Sequence, residues 1–106
     1  MPYIKPEHRV KLDRHINELT NELYVNPELF KGNLNYIISN IMNQYLIDIN
    51  YNKINDMIGV LECCKLELYN RMAIPYEEQK CEENGDVYTT EVKDGNIKKT
   101  DSIEGE

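Results

Sequence analysis

Apolar residues recur at the 3.6-residue spacing of an amphipathic helix in three successive segments of the chain. The first covers residues 6–24 and ends before Pro27, because proline disfavours helical backbone at the residue that precedes it. The second covers residues 33–47, and the third covers residues 52–73 and ends or kinks at Pro75. The stripes consist of Leu12, Ile16, Leu19 and Leu23, then Leu34, Ile37, Ile38, Ile41, Met42 and Tyr45, and finally Ile54, Met57, Ile58, Leu61, Cys64, Leu68 and Met72.

Local signals set the ends of these helices. We expect Asn50 or Asn52 to cap the third helix, since an asparagine side chain accepts a hydrogen bond from a free amide of the first turn. A short helical continuation over residues 76–83 can follow Pro75 and stop at Gly85, since glycine adopts the conformation of a helix C-terminus without strain.

Beyond Gly85 the pattern changes from helical to extended. Residues 86–92 favour a β-strand, Asp94-Gly95 is a hairpin turn signal, and residues 96–98 provide a return strand. Residues 100–106 have the composition of a disordered tail.

These segments together predict a mainly α fold, a small helical bundle of three main helices with a short C-terminal β-hairpin or extended segment. Its first part is a helical domain over residues 1–88 that includes a kinked C-terminal helix. Its second part is an acidic hairpin and tail extension over residues 89–106. A chain of this size buries a limited core, and its three wide apolar stripes leave surface for association. We therefore expect a homo-oligomer, either a dimer or a larger assembly.

The charge of the chain disfavours two classes of partner. The sequence has 19 acidic and 12 basic residues, and residues 75–106 carry six of the seven excess negative charges. Non-specific nucleic-acid binding and docking on anionic membranes both require a basic surface.

No segment has the roughly 20 apolar residues of a membrane span, and the N-terminus lacks the apolar core of a signal peptide. Three cysteines, two of them adjacent, do not make a disulfide framework, so we expect a cytoplasmic protein with reduced thiols.

No arrangement of residues identifies a catalytic or metal site. His8 and His15 lie two helical turns apart, about 10 Å along the axis, which is too far for both to ligate one metal ion. The serines, cysteines and glycines form neither a nucleophile with a neighbouring base nor a phosphate-binding loop. We therefore expect a protein that is not an enzyme and that needs no metal and no cofactor.

Lys65 is the most informative single residue, because it falls inside the apolar stripe of the third helix. An unpaired ammonium is costly to bury, so Lys65 needs a partner such as a phosphate, a ligand carboxylate or an acidic residue. The alternative is that its apolar stem packs while the ammonium reaches water or Glu62.

A second set of candidates surrounds Pro75. Tyr69 and Tyr76 flank this proline, and Arg71 and Lys80 supply cations close to them in the sequence. Aromatic rings beside cations suit a ligand that has both a base and phosphates. The alternative is that the tyrosine rings pack in the core with their hydroxyls in water. The candidate ligand-binding set is Glu62, Lys65, Tyr69, Arg71, Tyr76 and Lys80.

Five segments of the chain carry a distinctive pattern: MPYI at residues 1–4, LNY at 34–36, LECCKLELYNR at 61–71, PYEEQK at 75–80 and ENGDVY at 83–88. They resemble segments of a small, uncharacterised protein family found in phages and bacteria. The resemblance covers most of the first 88 residues. It implies a short helical protein of phage or mobile-element origin, which acts in the host cytoplasm if a phage encodes it. It implies no reaction.

Two functions are consistent with these observations. The first is a non-enzymatic phage-type protein that sequesters a small nucleotide-derived immune signal in a pocket formed by an oligomer. The second is an acidic adaptor or inhibitor that binds a host protein, with its C-terminal third acting as a mimic of nucleic acid.

Overall fold

The structure, a computed structural model, describes residues 2–93 and 95–99, which form four α-helices and one β-hairpin. A 3₁₀ turn over Pro27–Leu29 precedes the second helix, and a π-helical turn over Tyr69–Ala73 lies between the third and the fourth. The elements are α1 (Pro6–Val25), α2 (Phe30–Tyr45), α3 (Tyr51–Leu68), α4 (Ile74–Asn84), β1 (Thr90–Lys93) and β2 (Asn96–Lys99). The mainly helical fold class and the C-terminal hairpin are confirmed.

The chain divides into two compact units, Met1–Cys64 and Lys65–Glu106. In the first unit, α1 begins at Pro6, where the missing amide hydrogen costs nothing. The helix α2 begins at Phe30 rather than near Asn33, because the 3₁₀ turn leads directly into it and the Phe30 N–H donates to the Pro27 carbonyl. Gly32 therefore lies inside the helix, not before it.

The N-terminus of α3 is capped by Asn50, one of the two candidates from the sequence. Its Oδ1 accepts the backbone N–H of Lys53 at 2.9 Å, the third residue of the helix. This bond satisfies one of the free amides in the first turn. The prediction of an asparagine cap is confirmed.

The core of the first unit lies where α2 meets α3. Among the residues whose side chains the structure describes, Met57 alone is buried. It lines an apolar cleft of about 250 Å³ together with Ile41, Met42, Tyr45 and Val60. All the other stripe residues are exposed or half-buried, so the chain alone leaves much of its apolar surface in contact with water.

The helical backbone continues through Pro75 by means of the π turn. Proline lacks an amide hydrogen, and inside a regular helix its ring would clash with the carbonyl four residues earlier, which here belongs to Arg71. The π turn accommodates this residue: the Ile74 N–H donates to the Tyr69 carbonyl, five residues back. The kinked continuation predicted from the sequence is therefore a full helix, α4, which ends at Asn84 before Gly85.

The first strand of the hairpin in the second unit begins at Thr90, later than the sequence predicted. The two strands pair antiparallel with Lys93 opposite Asn96, which leaves two residues for the turn. Gly95 has a φ of +79°, a conformation that favours glycine. Asp94, the first residue of the predicted turn, lies outside the described residues, as does the predicted tail over residues 100–106.

Residues 86–89 are not part of the strand, although the sequence predicted strand from residue 86 onward. The carboxylate of Asp86 accepts the backbone N–H of Tyr88 at 2.8 Å, and this bond takes an amide that a strand would pair with its neighbour. The division of the chain into a helical domain over residues 1–88 and an extension over residues 89–106 stays a prediction.

Candidate functional site

The six candidate residues are distributed over both units. Glu62 belongs to the first unit, whereas the other five belong to the second. Their positions are Glu62 and Lys65 on α3, Tyr69 and Arg71 in the π turn, and Tyr76 and Lys80 on α4.

Tyr76 and Lys80 are brought into direct contact. They are four residues apart on α4, and the Lys80 ammonium lies 5.6 Å from the centroid of the Tyr76 ring. At this distance a cation is attracted by the electrons of the ring face. The Tyr76 side chain is 61% exposed, so it offers aromatic surface to a ligand beside a fixed positive charge.

A carboxylate competes for the same lysine. Glu83 Oε2 lies 3.1 Å from the Lys80 ammonium, and the other oxygen of this carboxylate accepts a hydrogen bond from the Gln79 amide at 3.4 Å. Because both Lys80 and Glu83 are about half exposed, the ion pair is weak. An anionic ligand that reaches Lys80 must displace or share this carboxylate.

The π turn holds Tyr69 and Arg71. An open cleft of about 580 Å³ adjoins the turn, and its lining includes Leu68, Met72 and Tyr76 but neither Tyr69 nor Arg71. That Tyr69 and Arg71 join Tyr76 and Lys80 in one ligand site stays a prediction.

Lys65 is exposed on the last turn of α3. The apolar stripe in which it lies is not buried in the chain alone, since Leu68 is 65% exposed. Lys65 and Glu62 each interact with another group of the chain, so neither is an unpaired charge.

A second cleft, of about 470 Å³, was not predicted from the sequence. It lies between α4 and the segment that follows it, and its lining includes Lys80, Cys81, Asp86 and Tyr88. The hydrogen bond from the Tyr88 amide to Asp86 fixes the segment that forms its far wall. The signal available in the sequence was Asp86 itself, since an aspartate two residues before a free amide favours this local turn.

Within this cleft, the pKa of the Cys81 thiol is raised above its ordinary value. The first cause is partial desolvation by neighbouring groups, since Cys81 itself is exposed, followed by the negative charge of Asp86, a hydrogen bond to Asp86, and the charge of Glu82. All four favour the neutral thiol over the thiolate. Since the thiolate is the reactive form, Cys81 is a poor nucleophile at neutral pH.

In residues 2–93 and 95–99, no group of three or more His, Cys, Asp or Glu side chains is arranged to hold a metal ion. Over the same residues, no helix combines the length and the apolar character that a membrane crossing requires.

Comparison with known proteins places the chain in a family. A family model described as Domain of unknown function (DUF6899) matches residues 1–87. The chain belongs to this family. The matched range contains all six candidate residues and the π turn, and it ends before Tyr88 and the hairpin. No curated protein and no solved structure matches the chain.

Proposed function

We propose that this chain is a non-enzymatic binding protein of phage type, which sequesters a small nucleotide-derived immune signal in a pocket formed by an oligomer. The contact between the Lys80 ammonium and the exposed Tyr76 ring carries the proposal. A nucleotide needs a surface on which its base stacks and a cation for its phosphates, and this pair offers both within one turn of helix.

Arg71 and Lys65 add positive charge in the same unit. Arg71 in the π turn is suited to a phosphate because its planar guanidinium donates two parallel hydrogen bonds. Lys65 contributes as a point charge. Tyr69 supplies a second exposed ring. Glu62 stays in the proposed set as a carboxylate able to accept hydrogen bonds from a ribose or a base.

An oligomer is needed because the clefts of the single chain are open. The cleft beside Tyr76 has Leu68 and Met72 on its wall, and both are 65% exposed. A ligand site buries most of its ligand, typically about 70–90% of the ligand surface. A second copy that covers these apolar side chains would enclose the ligand.

The test is a titration of the purified chain with cyclic nucleotides and ADP-ribose-type nucleotides, followed by calorimetry. We expect micromolar or tighter binding of one class, with Tyr76→Ala and Lys80→Ala each weakening it at least tenfold. The matched controls are Tyr24→Ala and Lys11→Ala, both on α1, which should leave the affinity unchanged. Equal loss in the controls, or no binding by the parent chain to any member of the panel, would refute the proposal.

A second candidate function follows from the opposite charge on the same helix. Exposed glutamates at positions 77, 78, 82 and 83 of α4 form an acidic surface. Such a surface favours binding to a basic host protein. Under this alternative, Glu77→Gln together with Glu78→Gln would abolish activity against the host, and Tyr76→Ala would not.

A further inference from the structure

Lys80 is the only cation among the described residues that line the two clefts beside α4. The cleft that includes Tyr76 has no charged residue in its described lining. The other cleft, of about 470 Å³, combines Lys80 with the carboxylates of Glu77, Glu78 and Asp86. A ligand that stacks on Tyr76 and reaches Lys80 therefore meets one positive charge and several negative ones.

Two glutamates flank Lys80 on the helix. Glu77 lies three residues before it and Glu83 three residues after it, so each is about 60° away around the helix axis, on opposite sides. A carboxylate oxygen of Glu83 lies 3.1 Å from the Lys80 ammonium, and Glu77 lines the acidic cleft on the other side. An anion that approaches the ammonium passes close to a carboxylate from either direction.

The excess of negative charge extends beyond these two glutamates. Residues 77–86 contain five acidic residues and one basic residue. The Cys81 thiol lies in the same stretch, and its pKa is raised by partial desolvation and then by the negative charges of Asp86 and Glu82. The thiol thus experiences the same negative surroundings as a ligand at Lys80.

These surroundings act differently on the first and on the later charges of an anionic ligand. One phosphate charge is attracted by Lys80, whereas a second one meets carboxylates and no further cation in the described lining of the clefts. Arg71, the nearest basic residue before Lys80 in the sequence, is not among those lining residues. Uncharged donors have no such penalty, since ribose hydroxyls and base amino groups donate hydrogen bonds to carboxylates.

We infer that the ligand class of the Tyr76 and Lys80 site is the cyclic mononucleotides, whose phosphodiester carries a single negative charge. Glu77 and Glu83 are the specificity-determining residues, because they disfavour nucleotides with two or more phosphate charges. The inference rests on the proposed function, since it requires that a nucleotide binds at this site. It goes further by choosing cyclic mononucleotides over the ADP-ribose type, whose pyrophosphate carries two charges.

Calorimetry with a series of ligands that differ in charge tests the inference. For each of the four RNA bases, the full chain is titrated with the nucleoside, its 3′,5′-cyclic monophosphate, its 5′-monophosphate and its 5′-diphosphate, and ADP-ribose completes the series. For the preferred base, we expect the cyclic monophosphate to bind tightest and the 5′-diphosphate to bind about tenfold more weakly. This ratio of affinities should decrease between about 20 mM and about 200 mM salt, because salt screens charge and does not change ligand shape.

Two glutamine variants test the role of the flanking carboxylates. Glu77→Gln removes one of the two charges beside Lys80 and should lower the ratio of affinities by about two- to fivefold. Glu78→Gln is the matched control, because it removes the same charge from a position about 160° away from Lys80 around the helix. It should change the ratio less than Glu77→Gln does.

The outcomes separate the inference from the proposed function. If no member of the series binds, the proposed function is refuted and the inference with it. Tighter binding of the nucleoside, of a 5′-diphosphate or of ADP-ribose than of every cyclic mononucleotide would overturn the inference alone. So would an affinity ratio that salt does not change, or one that Glu77→Gln changes no more than Glu78→Gln.

Discussion

The Lys80 ammonium lies between two partners on α4, 5.6 Å from the centre of the Tyr76 ring and 3.1 Å from a carboxylate oxygen of Glu83. The first contact places a positive charge beside an aromatic ring, which suits an aromatic anion. The second contact neutralises the Lys80 ammonium, to which the same anion would bind. The balance between the two sets the affinity of the proposed site.

Removal of the competing carboxylate is therefore expected to strengthen ligand binding. Glu83→Gln keeps the shape of the side chain but releases Lys80 from the ion pair. A half-exposed ion pair contributes about 0.2–1 kcal/mol, so the affinity for the nucleotide should rise up to about fivefold, as measured by calorimetry. Glu82→Gln removes the same charge from the neighbouring residue and should have a smaller effect. Weaker binding by Glu83→Gln would show that the carboxylate contacts the ligand.

Pro75 is expected to be the cause of the π turn. Pro75→Ala supplies an amide hydrogen and removes the ring, so residues 69–79 should become regular α-helix. We expect slower amide hydrogen exchange over this segment and a free energy of unfolding higher by about 1 kcal/mol, less than the ~3 kcal/mol for proline within a helix. The gain is smaller because Pro75 lies in the first turn of α4. If the π turn persists in the variant, Pro75 is not its cause and other side chains of the segment are.

The cap of α3 predicts different stabilities for two asparagine variants, one at the cap and one inside the first turn as its control. Asn50→Ala removes the acceptor of the Lys53 amide and should lower the free energy of unfolding by about 1 kcal/mol. Asn52→Ala lies inside the first turn, where alanine is the better helix former, and should leave stability unchanged or raise it by a few tenths of a kcal/mol. Urea unfolding at one fixed protein concentration measures both. Equal losses in the two variants would contradict the assignment of Asn50 as the cap.

The Cys81 thiol gives a prediction for pH dependence. Its pKa is raised in the folded chain, so between its ordinary value and the raised one the folded state holds a proton that the unfolded state has lost. The stability of the folded state should therefore fall as the pH rises above the ordinary thiol range.

Asp86→Asn tests the cause of this shift. It removes the charge but keeps an oxygen that accepts the Tyr88 amide, so the pKa of Cys81 should fall toward its ordinary value. Glu82→Gln should lower it less, because Glu82 is the smallest of the named causes. Titration of the thiolate absorbance is carried out with Cys63 and Cys64 replaced by serine. A larger effect of Glu82→Gln would show that the order of causes is wrong.

The elements that the sequence predicted well are those set by local chemistry. The asparagine cap, the helix start at Pro6 and the glycine of the hairpin turn each depend on one residue and its immediate neighbours. The contact between Tyr76 and Lys80 follows from their spacing of four residues, which places them on one side of a helix.

The elements that were not predicted from the sequence depend on which of several competing hydrogen bonds the backbone forms. Pro75 predicted a break or a kink, but which residues absorb it depends on the competing hydrogen bonds of the turn. The five-residue closure runs from Tyr69 to Ile74, and Tyr69 is not among the residues that line the cleft beside Tyr76. The early start of α2 at Phe30 has a similar origin, since a 3₁₀ turn continues into a helix without a signal of its own.

Nucleotide binding by an oligomer of this chain can be observed in a native mass spectrum of the protein purified from cells, recorded with and without the nucleotide panel. We expect a multiple of 12.5 kDa that gains a stoichiometric mass, and the size of that gain identifies the ligand. A species that takes up no member of the panel would contradict the proposed function and would favour a protein partner for the acidic surface of α4.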